Sequence, residues 1–201
     1  MTVWLGLLTI LMAIISYGLY FRDMFRGKTK PHGLTWLIWG MLNSFIFFQQ
    51  LAAGAGPGAW VTGSAALANF IIFGLSFKYG ERRITRLDWF CLVAAGFVLV
   101  VWYQTSDVVL SVVLASIISL LGFAPTIRKA WKGAREETVT TFALNSLKFL
   151  IALFALQTVS VVTALYPALL FVTNAGFAVY LLVRRARYST IKHKKKRGVA
   201  R

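Results

Sequence analysis

The sequence predicts an all-α membrane protein: seven transmembrane helices in a 3+1+3 arrangement, two parallel three-helix bundles joined by a linker helix. Three observations predict it. The apolar residues fall in runs of about 18 to 22, the length that crosses a hydrocarbon core of about 30 Å. Every Lys and Arg except Lys148 lies in alternate segments between those runs or in the C-terminal stretch. A shift of about 105 residues lays the first three runs on the last three, the mark of an internal repeat.

The composition excludes an ordinary soluble domain. The chain is 58% hydrophobic and 14% charged, where soluble domains are about a quarter charged. The expected spans are 3–21, 35–54, 60–77, 89–105, 108–127, 139–157 and 162–183. Span 1 follows Met1-Thr2-Val3-Trp4, which offers no positive n-region, and no small-x-small site follows it, so it is expected to be a retained helix. Spans 2 and 3 complete a first repeat over 1–80. Span 4, within a linker at 81–105, has Trp89 and Trp102 near its ends and no counterpart in the repeat. Spans 5 to 7 form the second repeat over 106–187, and 188–201 is a basic tail. An odd linker helix is what two parallel three-helix units require, since without it the second would be inverted.

Charge placement sets orientation. Arg22, Arg26, Lys28 and Lys30 follow span 1, Lys78, Arg82, Arg83 and Arg86 follow span 3, and Arg128, Lys129, Lys132 and Arg135 follow span 5. The tail adds a further basic cluster, whereas Ala55–Ala59, the Ser106–Asp107 turn and Thr158–Val161 carry no basic residue. Short loops rich in Lys and Arg stay cytoplasmic. The N-terminus is therefore expected outside and the C-terminus inside, in a multi-pass protein of the cell membrane. The net charge of +16 is read as a topology signal. The basic tail belongs beside an anionic leaflet, and no nucleic-acid partner is expected. Cys91 is alone and cannot form an intrachain disulfide, and His32 and His193 sit in basic segments, so neither metal nor cofactor is expected. Homo-oligomerisation is left open.

In the repeat, Phe25-Arg26-Gly27 falls on Trp131-Lys132-Gly133, Leu34-Thr35 on Val139-Thr140, and Asn69 on Asn174. This plan, with the segment Gly122-Phe123-Ala124-Pro125-Thr126-Ile127-Arg128-Lys129-Ala130-Trp131-Lys132-Gly133, resembles the PQ-loop clan. That clan includes the SWEET and SemiSWEET sugar facilitators and, more remotely, the PnuC vitamin transporters. The signature Pro-Gln reads Pro125-Thr126 in the second repeat and Leu19-Tyr20 in the first. The resemblance implies that Asn69 and Asn174 contact a sugar, as an asparagine pair does in SWEET proteins. The KDEL receptor has a similar architecture and binds a peptide, so fold alone does not assign function.

Polar groups are costly in hydrocarbon and usually face a bundle interior or a wet cavity. An amide offers donors and an acceptor to a hydroxyl-rich solute; the bland alternative for Asn69 and Asn174 is polar glue within each bundle. In span 2, Trp36, Trp39, Asn43 and Gln50 share one helical stripe. Trp36 is close enough to the expected cytoplasmic end to be an interfacial anchor; Trp39 is a turn deeper. The Trp-x-x-Trp followed by Asn43 is similar to the nicotinamide-riboside motif of PnuC proteins, though there it lies in the other repeat. In span 6, Lys148 lies about 14 Å along the axis, near the midplane. It shares a stripe with Thr141, Asn145, Ala152 and Ala155. No Asp or Glu stands within the spans. Lys148 is then an uncharged amine, an ammonium in a wet polar cavity, a ligand for an anionic or carbonyl-bearing solute, or a lipid-facing side chain. Pro125 interrupts the helix ladder of span 5 and is read as a hinge or a static kink.

Together these residues predict a facilitator of a small polar solute such as a sugar, working by alternating access around Asn69, Asn174, Trp39, Asn43, Asn145, Lys148 and Trp36. The alternatives are a PnuC-like vitamin or nucleoside transporter, or a ligand-binding or sorting receptor. A retinal-type photoreceptor lacks a carboxylate counter-ion at depth. No nucleophile triad, paired carboxylates or metal-ligand cluster lies within the spans, so an enzyme is not expected.

Overall fold

The computed structural model describes residues 1–81, 84–123, 127, 130, 131 and 138–198, and the side chains of all of these but 87, 88 and 187–198. The chain is all-helical, and no β-strand occurs among the described residues. In order, the helices are α1 (Thr2–Phe25), α2 (Gly33–Ala52), a 3-10 turn (Gly56–Ala59), α3 (Trp60–Tyr79), α4 (Arg86–Thr105), α5 (Val108–Leu121), α6 (Val139–Ala155) and α7 (Val161–Gly198). By length and composition, α1, the stretch Gly56–Tyr79 and α7 over Val161–Ala186 are long and apolar enough to cross a membrane. The apolar helices Trp89–Thr105, Val108–Leu121 and Val139–Ala155 are shorter.

Local chemistry sets the helix ends. Helix α1 ends where Gly27 adopts φ +68, a conformation that costs glycine little. The amides of Lys28 and Thr29 then fold back onto the Asp23 carbonyl at 2.9 and 3.2 Å. Helix α5 begins at Asp107, whose side chain accepts from the Leu110 amide at 2.9 Å, satisfying one of the orphan donors of a helix start. Its regular stretch ends at Leu121, with the Gly122 amide bonded to the Ile118 carbonyl at 2.9 Å, and beyond it Phe123 and Ile127 are again helical. Pro125, the expected hinge, lies outside the described residues. Helix α7 runs past the expected end of its span and through the basic stretch to Gly198. Lys and Arg are good helix formers, and cations near a helix C-terminus complement its dipole.

Helix α3 packs most extensively on α2 and also on α1, while α7 packs most extensively on α6 and also on α5. The broadest contact between these two groups is α1 against α6, and α2 touches both α5 and α7. Helix α4 lies on α5 and α2. The main core gathers Ile38, Leu42 and Ile46 of α2, Val112 and Ala115 of α5, Phe149 and Ala152 of α6, and Tyr166 of α7. The outward faces are apolar, with Trp4, Ile14, Leu67, Phe77, Val93 and Phe154 all exposed, while Ser16, Asn43, Gln50, Ser119 and Lys148 are buried. Polar inside and apolar outside is the reverse of a water-soluble surface, and it suits a hydrocarbon solvent.

Candidate functional site

The buried polar side chains converge where α1 and α2 meet α5, α6 and α7. Lys148 is completely buried, which removes its lipid-facing reading. Its Nζ stands 4.3 Å from the Tyr17 ring centroid and 5.3 Å from that of Phe149. It has no hydrogen-bond partner among the described residues. Two ring faces offset only part of the desolvation of an ammonium. A desolvated cation–π contact contributes about 2 kcal/mol, whereas burying an ion costs several kcal/mol. The stripe predicted for this helix is an inward one: Thr141, Lys148, Ala152 and Ala155 are buried and Asn145 is half-buried.

Tyr17 in turn lies within electrostatic reach of Tyr166. The Tyr166 hydroxyl shares a hydrogen bond of 3.0 Å with Ser119 Oγ and has the Asn43 amide beside it. Asn43 Nδ2 donates to the Trp39 carbonyl at 2.7 Å, while its Oδ1 has no partner among the described residues. Trp39 Nε1 donates to the Ser119 carbonyl at 3.3 Å. The Trp39 ring packs between Trp36, 5.4 Å away and edge-on, and Phe123 at 5.0 Å. A Cβ on Gly122 would fall 2.6 Å from Trp39 Nε1, so that glycine lets the indole approach α5. Trp39, Ser119, Tyr166 and Asn43 thus form one linked row, and Lys148 with Tyr17 and Phe149 forms a second buried group between α1 and α6.

Asn145 joins the same seam from below, accepting from Ser16 Oγ at 3.0 Å. Trp36 pairs with Tyr20 at 5.0 Å. Asn69 and Asn174 are both buried, but no hydrogen bond links them among the described residues. Asn174 Nδ2 donates to the Leu170 carbonyl one turn back at 2.8 Å, a bond within its own helix. Asn69 lies on the α3 face whose Ala65, Ala68 and Ile72 pack against Ala13, Tyr17 and Tyr20. It therefore approaches the seam from behind Tyr17.

Hydrogen bonds join the two helix groups at both ends of the seam. At the basic end, Thr138 Oγ1 donates to Asp23 Oδ2 at 3.2 Å, and Arg22 pairs with Asp23 Oδ1 at 3.0 Å. At the opposite end, the Gln157 amide donates to the Ala55 carbonyl at 3.1 Å and Gln50 Nε2 to the Thr163 carbonyl at 2.9 Å. Sequence reasoning missed Tyr17, Tyr166, Ser119 and Asp23. The available signal was a hydroxyl repeated inside otherwise apolar helices, which does not distinguish a bond to the helix's own carbonyl from one that crosses between helices.

No protein-family model matches the chain, and no curated protein and no solved structure matches it.

Proposed function

We propose that the chain is a membrane transporter that moves a small polar solute by alternating access, with the seam between the α1–α3 and α5–α7 groups as its pathway. The observation that carries this reading is the set of buried polar groups along the seam, with Lys148 Nζ and Asn43 Oδ1 unpartnered among the described residues. A polar site enclosed between two helix groups is what a carrier in its occluded state holds. The packing order supports the 3+1+3 plan, because the third helix of each group lies against both its first and its second. On this reading all seven helices span the cell membrane, with the N-terminus outside and the basic loops and tail in the cytoplasm. Asn69, Asn174, Trp36, Trp39, Asn43, Asn145 and Lys148 line or support the solute site. Sugars, vitamins and nucleosides are the neutral solutes to test first.

The experiment is uptake into proteoliposomes containing the purified chain. Saturable uptake of one solute, absent from empty liposomes, is expected. Saturable binding without flux would favour a receptor on the same scaffold.

A further inference from the structure

The shift that carries Asn69 onto Asn174 also carries Asn43 onto Lys148. These equivalent positions on α2 and α6 each bury a polar side chain with a terminal atom that has no partner among the described residues, and the two atoms are of opposite hydrogen-bonding sense; Gln50 Oε1, at the end of the seam away from the basic loops, is a further unpartnered acceptor. Asn43 Oδ1 can only accept, and Lys148 Nζ can donate. Tyr17 packs against the Lys148 amine and Tyr166 stands beside the Asn43 amide. The spans contain no Asp or Glu, and among the described residues the ion pair nearest the seam, Arg22–Asp23, is at its basic end. An anion entering the seam would supply the counter-charge that holds Lys148 in its ammonium form, which a neutral sugar does not.

We propose that Asn43 and Lys148 are the two poles of one site for a small carboxylate that also carries a neutral donor, in the manner of a hydroxy acid. Lys148 Nζ takes the carboxylate, Asn43 Oδ1 accepts from the hydroxyl, and the two tyrosine rings flank the carbon chain. A second cationic group on the solute is disfavoured, because it would sit near the ammonium with no counter-charge. This inference rests on the transporter reading and names its substrate class.

Binding to the purified full chain in nanodiscs tests it, with glycolate, lactate and mandelate each set against its own amide. At least one acid should bind more than about tenfold tighter than its amide. Lys148→Met should remove that preference, and Asn43→Leu should remove the preference for lactate over propionate while leaving propionate binding in place. If every acid binds no better than its amide, the inference is overturned. That comparison uses the wild-type chain, so it decides even where a variant does not fold. Uptake of glucose or a nucleoside without any carboxylate binding overturns the inference and leaves the transporter reading standing. Tight acid binding without flux keeps the site and overturns the transporter reading.

Discussion

At the scale of single residues, Tyr166 is the hub of the buried row. Its hydroxyl bonds Ser119 and stands beside Asn43, so Tyr166→Phe strands polar groups that have no water to turn to. The expected cost is about 1–3 kcal/mol, read as a lower thermal unfolding midpoint in detergent. Ser119→Ala should cost less, because the Tyr166 hydroxyl it leaves behind still has the Asn43 amide beside it. The double variant should fall well short of the sum, since both changes break one interaction. Additive effects would show the bond to be of no consequence. Lys148 should behave in the opposite sense. Lys148→Met keeps the apolar stem and removes a completely buried amine with no hydrogen bond, so the midpoint should hold or rise. A collapse in stability would mean that the contact with Tyr17 does more than its geometry provides.

At the scale of elements, the glycines differ by what faces them. A Cβ on Gly58 would sit 2.9 Å from the Leu156 backbone, where the 3-10 turn presses on the end of α6. A Cβ on Gly74, inside α3, would meet nothing within 4 Å. Gly58→Ala is therefore expected to lower stability by about 1–3 kcal/mol, and Gly74→Ala to raise it by up to about 1 kcal/mol. Thermal unfolding of the pair checks both signs. The helices themselves were legible in the sequence because apolar runs and basic segments alternate so regularly. Their ends were less so. The interruption of the helix at Gly122 falls where the Trp39 indole comes closest to α5, a tertiary fact. Helix α7 runs on through the basic stretch because nothing between Arg184 and Gly198 breaks a helix.

At the scale of the whole molecule, the sequence identified the inward stripe of α6 and the buried positions of Asn43, Asn69 and Asn174. It did not yield which of them meet. Helical periodicity tells which face turns inward, but not that Tyr17 packs against Lys148 and Tyr166 stands beside Asn43, since those contacts cross from one helix group to the other. The topology reading makes its own prediction. A reporter active only in the cytoplasm should give signal when fused after Arg201 and none when inserted at Ala55–Gly58. Signal at both places would overturn the seven-span, N-out arrangement.

The two closures of the seam differ in kind. At the basic end the contact across the seam is the Thr138 hydroxyl on the Asp23 carboxylate, with Arg22 beside it on the same helix; at the opposite end the bonds of Gln157 and Gln50 join neutral groups to carbonyls. A hydrogen bond to a charged acceptor is roughly twice as strong as one between neutral groups, so the two ends are held by unequal bonds. Asp23→Asn would leave neutral bonds at both ends and remove that inequality.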